Sequence, residues 1–263
     1  MENQLSISKD LYMEERRQGI LALLDKLGRV SVSDLSDRFS VSEVTIRADL
    51  QALADGGMLM RTHGGALKID PAVFDITLTS RRARMADEKI RIGQAASEFV
   101  QNGDSIFLDS SSTSLAIAPN IKDRRNLTVI TNGIAVSQEL MDAPDVAVVM
   151  AGGRLRRDTA SLVGPDGLGT LSRYNIQKGF FGAHGVNVWD GLTDVSADEA
   201  EVKRSLVEKS RMVIAVLDAT KWGRVGLSSF TPLQAVNVII SDVNAPPELV
   251  AQVRGLGLEV ILV

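Results

Sequence analysis

Cysteine is absent from the 263 residues, which excludes disulfides and thiolate metal sites and fits a reducing, cytoplasmic setting. Histidine is nearly absent as well. His63 and His184 leave little material for an imidazole metal centre, and neither a metal nor another cofactor is expected. No apolar run approaches the roughly 20 residues that span a bilayer, so no membrane partner is expected. The start "MENQLSISKDLYMEERRQG" has no basic stretch leading into an apolar core, so nothing marks it for export. A positive balance is missing too: 29 Lys or Arg stand against 33 Asp or Glu, a net charge of −4, which does not advertise a nucleic-acid binder. What remains, 44% hydrophobic and 24% charged residues, is ordinary for a globular protein, and the length suits two domains.

The chain divides by rhythm. Residues 13 to 67 read as short helices with tight connections, whereas from about 104 onward apolar runs alternate with helical stretches. The organisation expected is a first domain over 1–68, a linker over 69–85 entered at Asp70-Pro71, and a second domain over 86–263.

In the first domain Ile20, Leu24 and Leu27, with Leu23 alongside, give a helix that Gly28 ends. Val32, Leu35 and Phe39 give a second, entered through Ser31 or Ser33. Ser42 caps a third, whose Ile46, Leu50 and Leu53 form an apolar stripe opposite Val44, Ala48 and Gln51. After Gly56-Gly57, "MLMRTHGGAL" predicts two short strands around a glycine turn. Three helices and a hairpin in this order are the layout of a winged helix-turn-helix, in which the third helix enters the major groove. Ser42, Thr45, Arg47 and Gln51 on that helix, with Arg61 and His63 on the wing, are the candidate DNA contacts. A small helical interaction module with a merely solvated polar face remains the alternative.

The second domain is predicted to be α/β. "DSIFLD", "LTVIT", "VAVVMA", "GFFGA", "MVIAVLD", "VNVIISD" and "LEVILV" alternate with helical stretches over 86–101, 132–141, 196–210 and 246–256, the pattern of a mostly parallel, Rossmann-like sheet. Ligands in such sheets bind beyond the carboxyl ends of the strands. The candidates there are Asp109 with Ser110, Ser111, Ser112 and Thr113, then Thr131 and Asn132, Gly152 and Gly153, His184, and Lys221. Hydroxyls and backbone N–H groups at a helix start suit a phosphate, although simple helix capping explains the serines equally well. Arg154, Arg156 and Arg157 read as a solvated loop. Glu199 and Lys203, at i and i+4, read as a surface ion pair, with Ser196 and Glu199 forming a capping box.

The stretch from "ERRQGILALL" to "RTHGGAL" resembles the DNA-binding domain of the DeoR family of bacterial repressors of sugar metabolism. Its "VS..TIR.DL..L...G...R.HGGA" hallmark is present from Val41-Ser42 through Thr45-Ile46-Arg47, Asp49-Leu50 and Arg61 to His63-Gly64-Gly65-Ala66. The family usually has a second Arg where this chain has Ala48. "GDSIFLDSSST", "TNGIAV", "GGRLRRDTASLVG", "FFGAHGV" and "LDATKWG" resemble the sensor domain of the same family, similar in fold to ribose-5-phosphate isomerases and coenzyme A transferases. Ser111 stands where the family usually shows glycine, which implies an altered effector or pose.

The resemblance implies a transcriptional regulator rather than an enzyme. Its partners would be double-stranded operator DNA, a phosphorylated sugar or related effector, and further copies of the chain in a dimer or tetramer. The acidic first domain, with nine Lys or Arg against eleven Asp or Glu in residues 1–70, makes repeated copies the expected source of DNA affinity. A sugar-phosphate isomerase with an appended helical domain is the competing class, and a protein-interaction adaptor the third.

Overall fold

The computed structural model describes residues 2–55, 58–62, 64–67, 77–171 and 173–263. Its contacts divide the chain into two compact units, Met1–Arg84 and Met85–Val263.

The first unit opens with α1 (Glu2–Leu27), β1 (Arg29–Ser31), α2 (Val32–Phe39) and α3 (Glu43–Asp55). Strands β2 (Met60–Thr62) and β3 (Gly65–Leu67) and the short α4 (Leu78–Ala83) follow. Ile20, Leu24, Val32, Leu35, Ile46, Leu50 and Leu53 close into one core with Leu59 and Ala66. Leu27, expected on that stripe, is instead 60% exposed, because it is the last residue of α1 and the chain turns away into β1 directly after it. Ser31, not Ser33, caps α2: its Oγ accepts from Asp34 N at 3.1 Å. Ser42 Oγ accepts from Thr45 N at 3.2 Å and so caps α3. Such a cap is worth about 1 kcal/mol.

A charged contact locks α3 to α1. Asp49 is only 2% exposed, yet it sits on the core side of α3 and accepts from Arg16 Nε at 2.5 Å and Arg17 Nε at 3.0 Å. The wing has three strands rather than the expected two, in the order β1-β3-β2, all antiparallel. Gly65 is required there, since a Cβ would lie 2.0 Å from the Val30 carbonyl oxygen. Within the expected linker, residues 78–83 are helical, with Thr77 capping α4; residues 69–76, like Gly56 and Gly57, lie outside the described residues.

In the second unit, α5 (Ala86–Ser97) leads into β4 (Ser105–Leu108), α6 (Ser112–Leu115), β5 (Leu127–Thr131), α7 (Ile134–Glu139) and β6 (Val146–Met150). A hairpin of β7 (Arg154–Arg156) and β8 (Ser161–Val163) follows, then α8 (Pro165–Leu171), β9 (Ile176–Phe181), β10 (Gly185–Asn187), β11 (Gly191–Asp194) and α9 (Ala197–Val207). The chain ends through β12 (Ser210–Val216), β13 (Ser228–Thr231), β14 (Val238–Ser241), α10 (Pro247–Gly255) and β15 (Glu259–Leu262). Seven of these strands, corresponding to the seven apolar runs of the sequence, form one parallel sheet in the order β15-β14-β12-β9-β4-β5-β6. Consecutive residues serve opposite faces. Phe107 and Ile130 belong to one core, while Ile106, Leu108 and Val129 belong to the other, as expected of a sheet covered on both sides.

The order reverses between β4 and β9. From β4 the chain builds outward through β5 and β6, then returns to add β9, β12, β14 and β15 on the other side. A small antiparallel sheet, β10-β11-β13, carries Trp189 in its first turn, 92% exposed, whereas Trp222 is buried and donates from Nε1 to Ser241 Oγ at 3.0 Å. Among the described residues no helix is long and apolar enough to cross a membrane.

Replacing Asp49 leaves two guanidinium groups without their shared acceptor at the α1–α3 contact. Asp49→Ala is expected to destabilise the first unit by roughly 1–3 kcal/mol, read as a lower urea midpoint. An unchanged midpoint would show that the helices are held by the apolar stripe alone.

Candidate functional site

Two sets of residues stand out, one in each unit. On α3 the outward face carries Ser42, Arg47, Ala48 and Gln51, all exposed, with Thr45 partly covered. Arg47 Nη2 donates to Glu43 Oε2 at 2.7 Å, one helical turn back, which extends the guanidinium along the helix start. Arg61, on β2, donates from Nη1 to the Arg47 carbonyl at 2.8 Å, so the wing and the third helix are joined at this face. Thr45 Oγ1 shares a 2.9 Å hydrogen bond with Ser42 Oγ. His63 lies outside the described residues.

In the second unit the sequence-predicted residues follow the carboxyl ends of the parallel strands, and several of them meet at the reversal between β4 and β9. Asp109, fully buried, accepts from Ser111 N at 3.0 Å through Oδ1 and from Gly182 N at 2.9 Å through Oδ2. It therefore ties the end of β4 to the end of β9. Ser111 Oγ accepts from Ser114 N at 3.1 Å, so the capping explanation holds for that serine. Ser112 and Thr113 are buried in the single turn of α6. Thr131 Oγ1 accepts from Gly133 N at 3.0 Å, and Asn132 Nδ2 donates to the Leu162 carbonyl at 3.3 Å.

The remaining candidates line the same edge. Gly152 is exposed, and its carbonyl oxygen would lie 2.1 Å from a Cβ at Gly167 of α8. Gly153 has φ +120° and approaches Val163 so closely that a Cβ would lie 2.5 Å from its carbonyl oxygen. His184, half-buried, donates its backbone N–H to the Thr193 carbonyl at 2.9 Å. Lys221 closes the 3-10 turn Ala219–Lys221 after β12; Asp218 Oδ1 shapes that turn by accepting from Thr220 N at 3.0 Å. Asp218 Oδ2 also stands 3.7 Å from Lys89 Nζ of α5.

Glu199 and Lys203 do not form the surface ion pair that their spacing suggested. Both are buried, at 3% and 4% exposure, and each turns to different partners. Lys203 Nζ donates to the Gly182 carbonyl at 2.8 Å and to Asp194 Oδ2 at 2.7 Å, and lies 3.0 Å from Asp109 Oδ2. The Phe230 ring lies 5.2 Å away. Glu199 accepts from Ser161 Oγ, from Thr159 Oγ1 at 3.1 Å and from Ser110 Oγ at 3.3 Å. The capping box is thus half made: Ser196 Oγ accepts from Glu199 N at 3.4 Å, while the Glu199 carboxylate points inward. Burial alone would lower the Lys203 pKa, but Asp109, Asp194 and Glu199 outweigh it and raise the ammonium above its ordinary range.

A signal for this was available on α9. Residues 199, 203 and 206 share one helical face, and Leu206 is fully buried, so the pair continues a core-facing stripe. Arg156, read from the sequence as solvated, is also mostly covered. Its Nη2 donates to Asp158 Oδ2 at 2.7 Å and its Nη1 lies 3.9 Å from Glu199 Oε1.

Comparison with known proteins gives the same two-part division. Residues 16–72 match the model of a DeoR-like helix-turn-helix domain, and residues 84–243 match that of a DeoR C terminal sensor domain. The HTH-type transcriptional regulator GolR of Listeria innocua is 34% identical, over 94% of this chain and 97% of that protein. The glycerol-3-phosphate regulon repressor of Escherichia coli is 33% identical, over 91% of this chain and 94% of its own. A putative aga operon transcriptional repressor of Escherichia coli O157:H7 is 33% identical over 95% and 93%. Among solved structures, ribose 5-phosphate isomerase A of Methanocaldococcus jannaschii superposes at a TM-score of 0.40 with 15% identity, covering 52% of this chain and 55% of that one.

Removing the shared cation leaves two carboxylates buried against each other. Lys203→Met is expected to destabilise the second unit by about 3–5 kcal/mol. Because folding raises this lysine's pKa, its contribution is complete below the unfolded value of about 10.4 and fades as pH climbs through the folded one. Thermal unfolding between pH 8 and pH 11 should show the parent weakening only at the alkaline end, with the gap to Lys203→Met narrowing there. A gap already closed at pH 8 would rule out the buried ammonium as the cause.

Proposed function

Since the chain belongs to the DeoR family of transcriptional regulators, we propose that it is a sequence-specific repressor of genes for carbohydrate uptake or breakdown, released from its operator by a phosphorylated sugar. The observation that carries the effector part of this reading is the meeting of Asp109, Ser110 and Gly182 at the sheet's reversal point, the place where open α/β sheets take their ligands. Ser112, Thr113, Thr131, Asn132, Gly152, Gly153, His184 and Lys221 follow strand ends of the same edge. Lys221 supplies the cation that a phosphate dianion needs, and the hydroxyls supply donors. The family relative named for a glycerol-3-phosphate regulon supports a small phosphorylated polyol as the effector class.

On the DNA side, Arg47 and Gln51 are assigned to base edges, Ser42, Thr45 and Arg61 to phosphates, and His63 to the wing's backbone contact. Neither unit is broadly basic, so affinity rests on a few placed cations repeated by symmetry. A homodimer or tetramer assembled through the second unit provides that repetition, and the cytoplasm is where such a regulator meets its DNA. Turnover is not part of the reading. Asp109, Asp194, Glu199 and Lys203 spend their charges on one another and on neighbouring hydroxyls, which leaves them poorly placed to shuttle a substrate proton.

Two measurements test this. Arg47→Ala is expected to lower operator affinity by about 10- to 100-fold while random-sequence binding falls less; equal losses on both DNAs would make Arg47 a positioning contact. Lys221→Ala is expected to keep operator binding and to need at least about 10-fold more sugar phosphate for release. Release of parent and variant at the same concentration would remove Lys221 from the site, and measurable conversion of the sugar would establish an enzyme instead.

A further inference from the structure

Two buried polar atoms at the β7–β8 hairpin have no hydrogen-bond partner among the described residues: Nη1 of Arg156 and Oδ1 of Asn132, whose amide contacts Leu162 of β8. Neither is free to turn toward another group, because each side chain is already held through another of its atoms. Arg156 Nη2 is engaged by Asp158 at 2.7 Å, and Asn132 Nδ2 by the Leu162 carbonyl at 3.3 Å, which also fixes the amide with its oxygen pointing away from that carbonyl. An unmet buried donor or acceptor costs about 1–3 kcal/mol; for Nη1 the Glu199 carboxylate at 3.9 Å offsets part of that cost, while nothing among the described residues meets Asn132 Oδ1.

Both atoms hang on the β7–β8 hairpin. Arg156 pairs in register with Ser161, Ser161 bridges to Gly133, and Leu162 N donates to the Asn132 carbonyl at 2.8 Å. Ser161 and Ser110 are both fastened to Glu199, and a Cβ at Gly133 would lie 3.0 Å from Ser110 Cα. The hairpin, the end of β4 and the end of β5 are therefore one neighbourhood, adjoining Asp109.

We propose that Arg156 and Asn132 are specificity-determining contacts for a polyhydroxylated ligand: Arg156 Nη1 donates to a ligand oxygen, and Asn132 Oδ1 accepts from a ligand hydroxyl. The two atoms have opposite requirements, an acceptor for Nη1 and a donor for Oδ1. A polyol chain carries both on neighbouring carbons, whereas an apolar ligand or a bare anion meets only one or neither. Glu199 acts through its neighbours as a positioning residue, holding Ser110, Ser161 and Thr159 so that the hairpin presents the two contacts. This deepens the effector reading given above and rests on it for the phosphate group alone; the polyol contacts stand or fall separately.

The test is calorimetric titration of the full-length protein with glycerol 3-phosphate, fructose 6-phosphate and glucose 6-phosphate, and with glycerol, fructose and glucose, for the parent, Arg156→Met and Asn132→Leu. The expected result is binding of at least one phosphate ester by the parent and a loss of about 10- to 100-fold in each variant. The melting temperature of ligand-free Arg156→Met is expected to fall by no more than about 5 °C, because the unmet donor it removes offsets part of the lost ion pairs to Asp158 and Glu199; a larger fall would mark the arginine as structural and overturn its assignment. A variant that binds the ester as the parent does overturns the role of its residue and leaves the phosphorylated-sugar reading standing. Binding of an unphosphorylated polyol only, lost in the variants, upholds these contacts and overturns the phosphate. A parent that binds none of the six overturns both.

Discussion

A buried ammonium is several kcal/mol worse off than a solvated one unless its surroundings return the charge and the hydrogen bonds it gave up. At Lys203 three oxygens do so: one each from Asp109 and Asp194, and the carbonyl of Gly182. These partners come from the ends of β4, β11 and β9, and the lysine itself comes from α9. One cation thereby sets the distance between segments that the chain visits far apart, at the point where the sheet changes direction. The strand-end loops on either side inherit their positions from it. Glu199, one turn earlier on the same helix, does for Ser110 and the β7–β8 hairpin what Lys203 does for Asp109 and β9.

That arrangement explains which parts of the molecule were readable in the sequence. A parallel strand covered on both faces must be apolar along its whole length, and "SIFL", "LTVIT" and "MVIAV" announced themselves for that reason. The core stripe of α3, Ile46, Leu50 and Leu53, was equally plain from its i, i+4, i+7 spacing, although Asp49 shares that face. Spacing failed where a charge faces inward. Glu199 and Lys203 at i, i+4 have the same pattern whether the helix face meets water or protein, and only the buried Leu206 on the same face separates the two cases. Arg156 was obscured by its exposed neighbours Arg154 and Arg157. Strand β1 escaped notice because three residues are too few for a period, and its existence depends on a glycine 36 residues later, Gly65, that lets the backbones approach.

The first unit obeys the same economy of charge. Asp49 belongs to the family hallmark, yet it faces α1 rather than DNA, so part of a motif recognised for its function is maintained by packing. The outward residues are few: with Ala48 adding no charge, the third helix presents Arg47 as its one guanidinium, already oriented by Glu43. With so few cations on that face, long-range electrostatic attraction to a polyanion is weak.

The two tryptophans divide the molecule optically. Trp189 stands in the β10–β11 turn with its ring in water, while Trp222 is enclosed, bonded to Ser241, and adjacent in the chain to Lys221. Their emission therefore separates by environment: the exposed indole is red-shifted and open to collisional quenchers, the enclosed one blue-shifted and shielded. With acrylamide suppressing the first, the residual fluorescence is a built-in optical probe of the turn that follows β12, and it needs no label and no substitution.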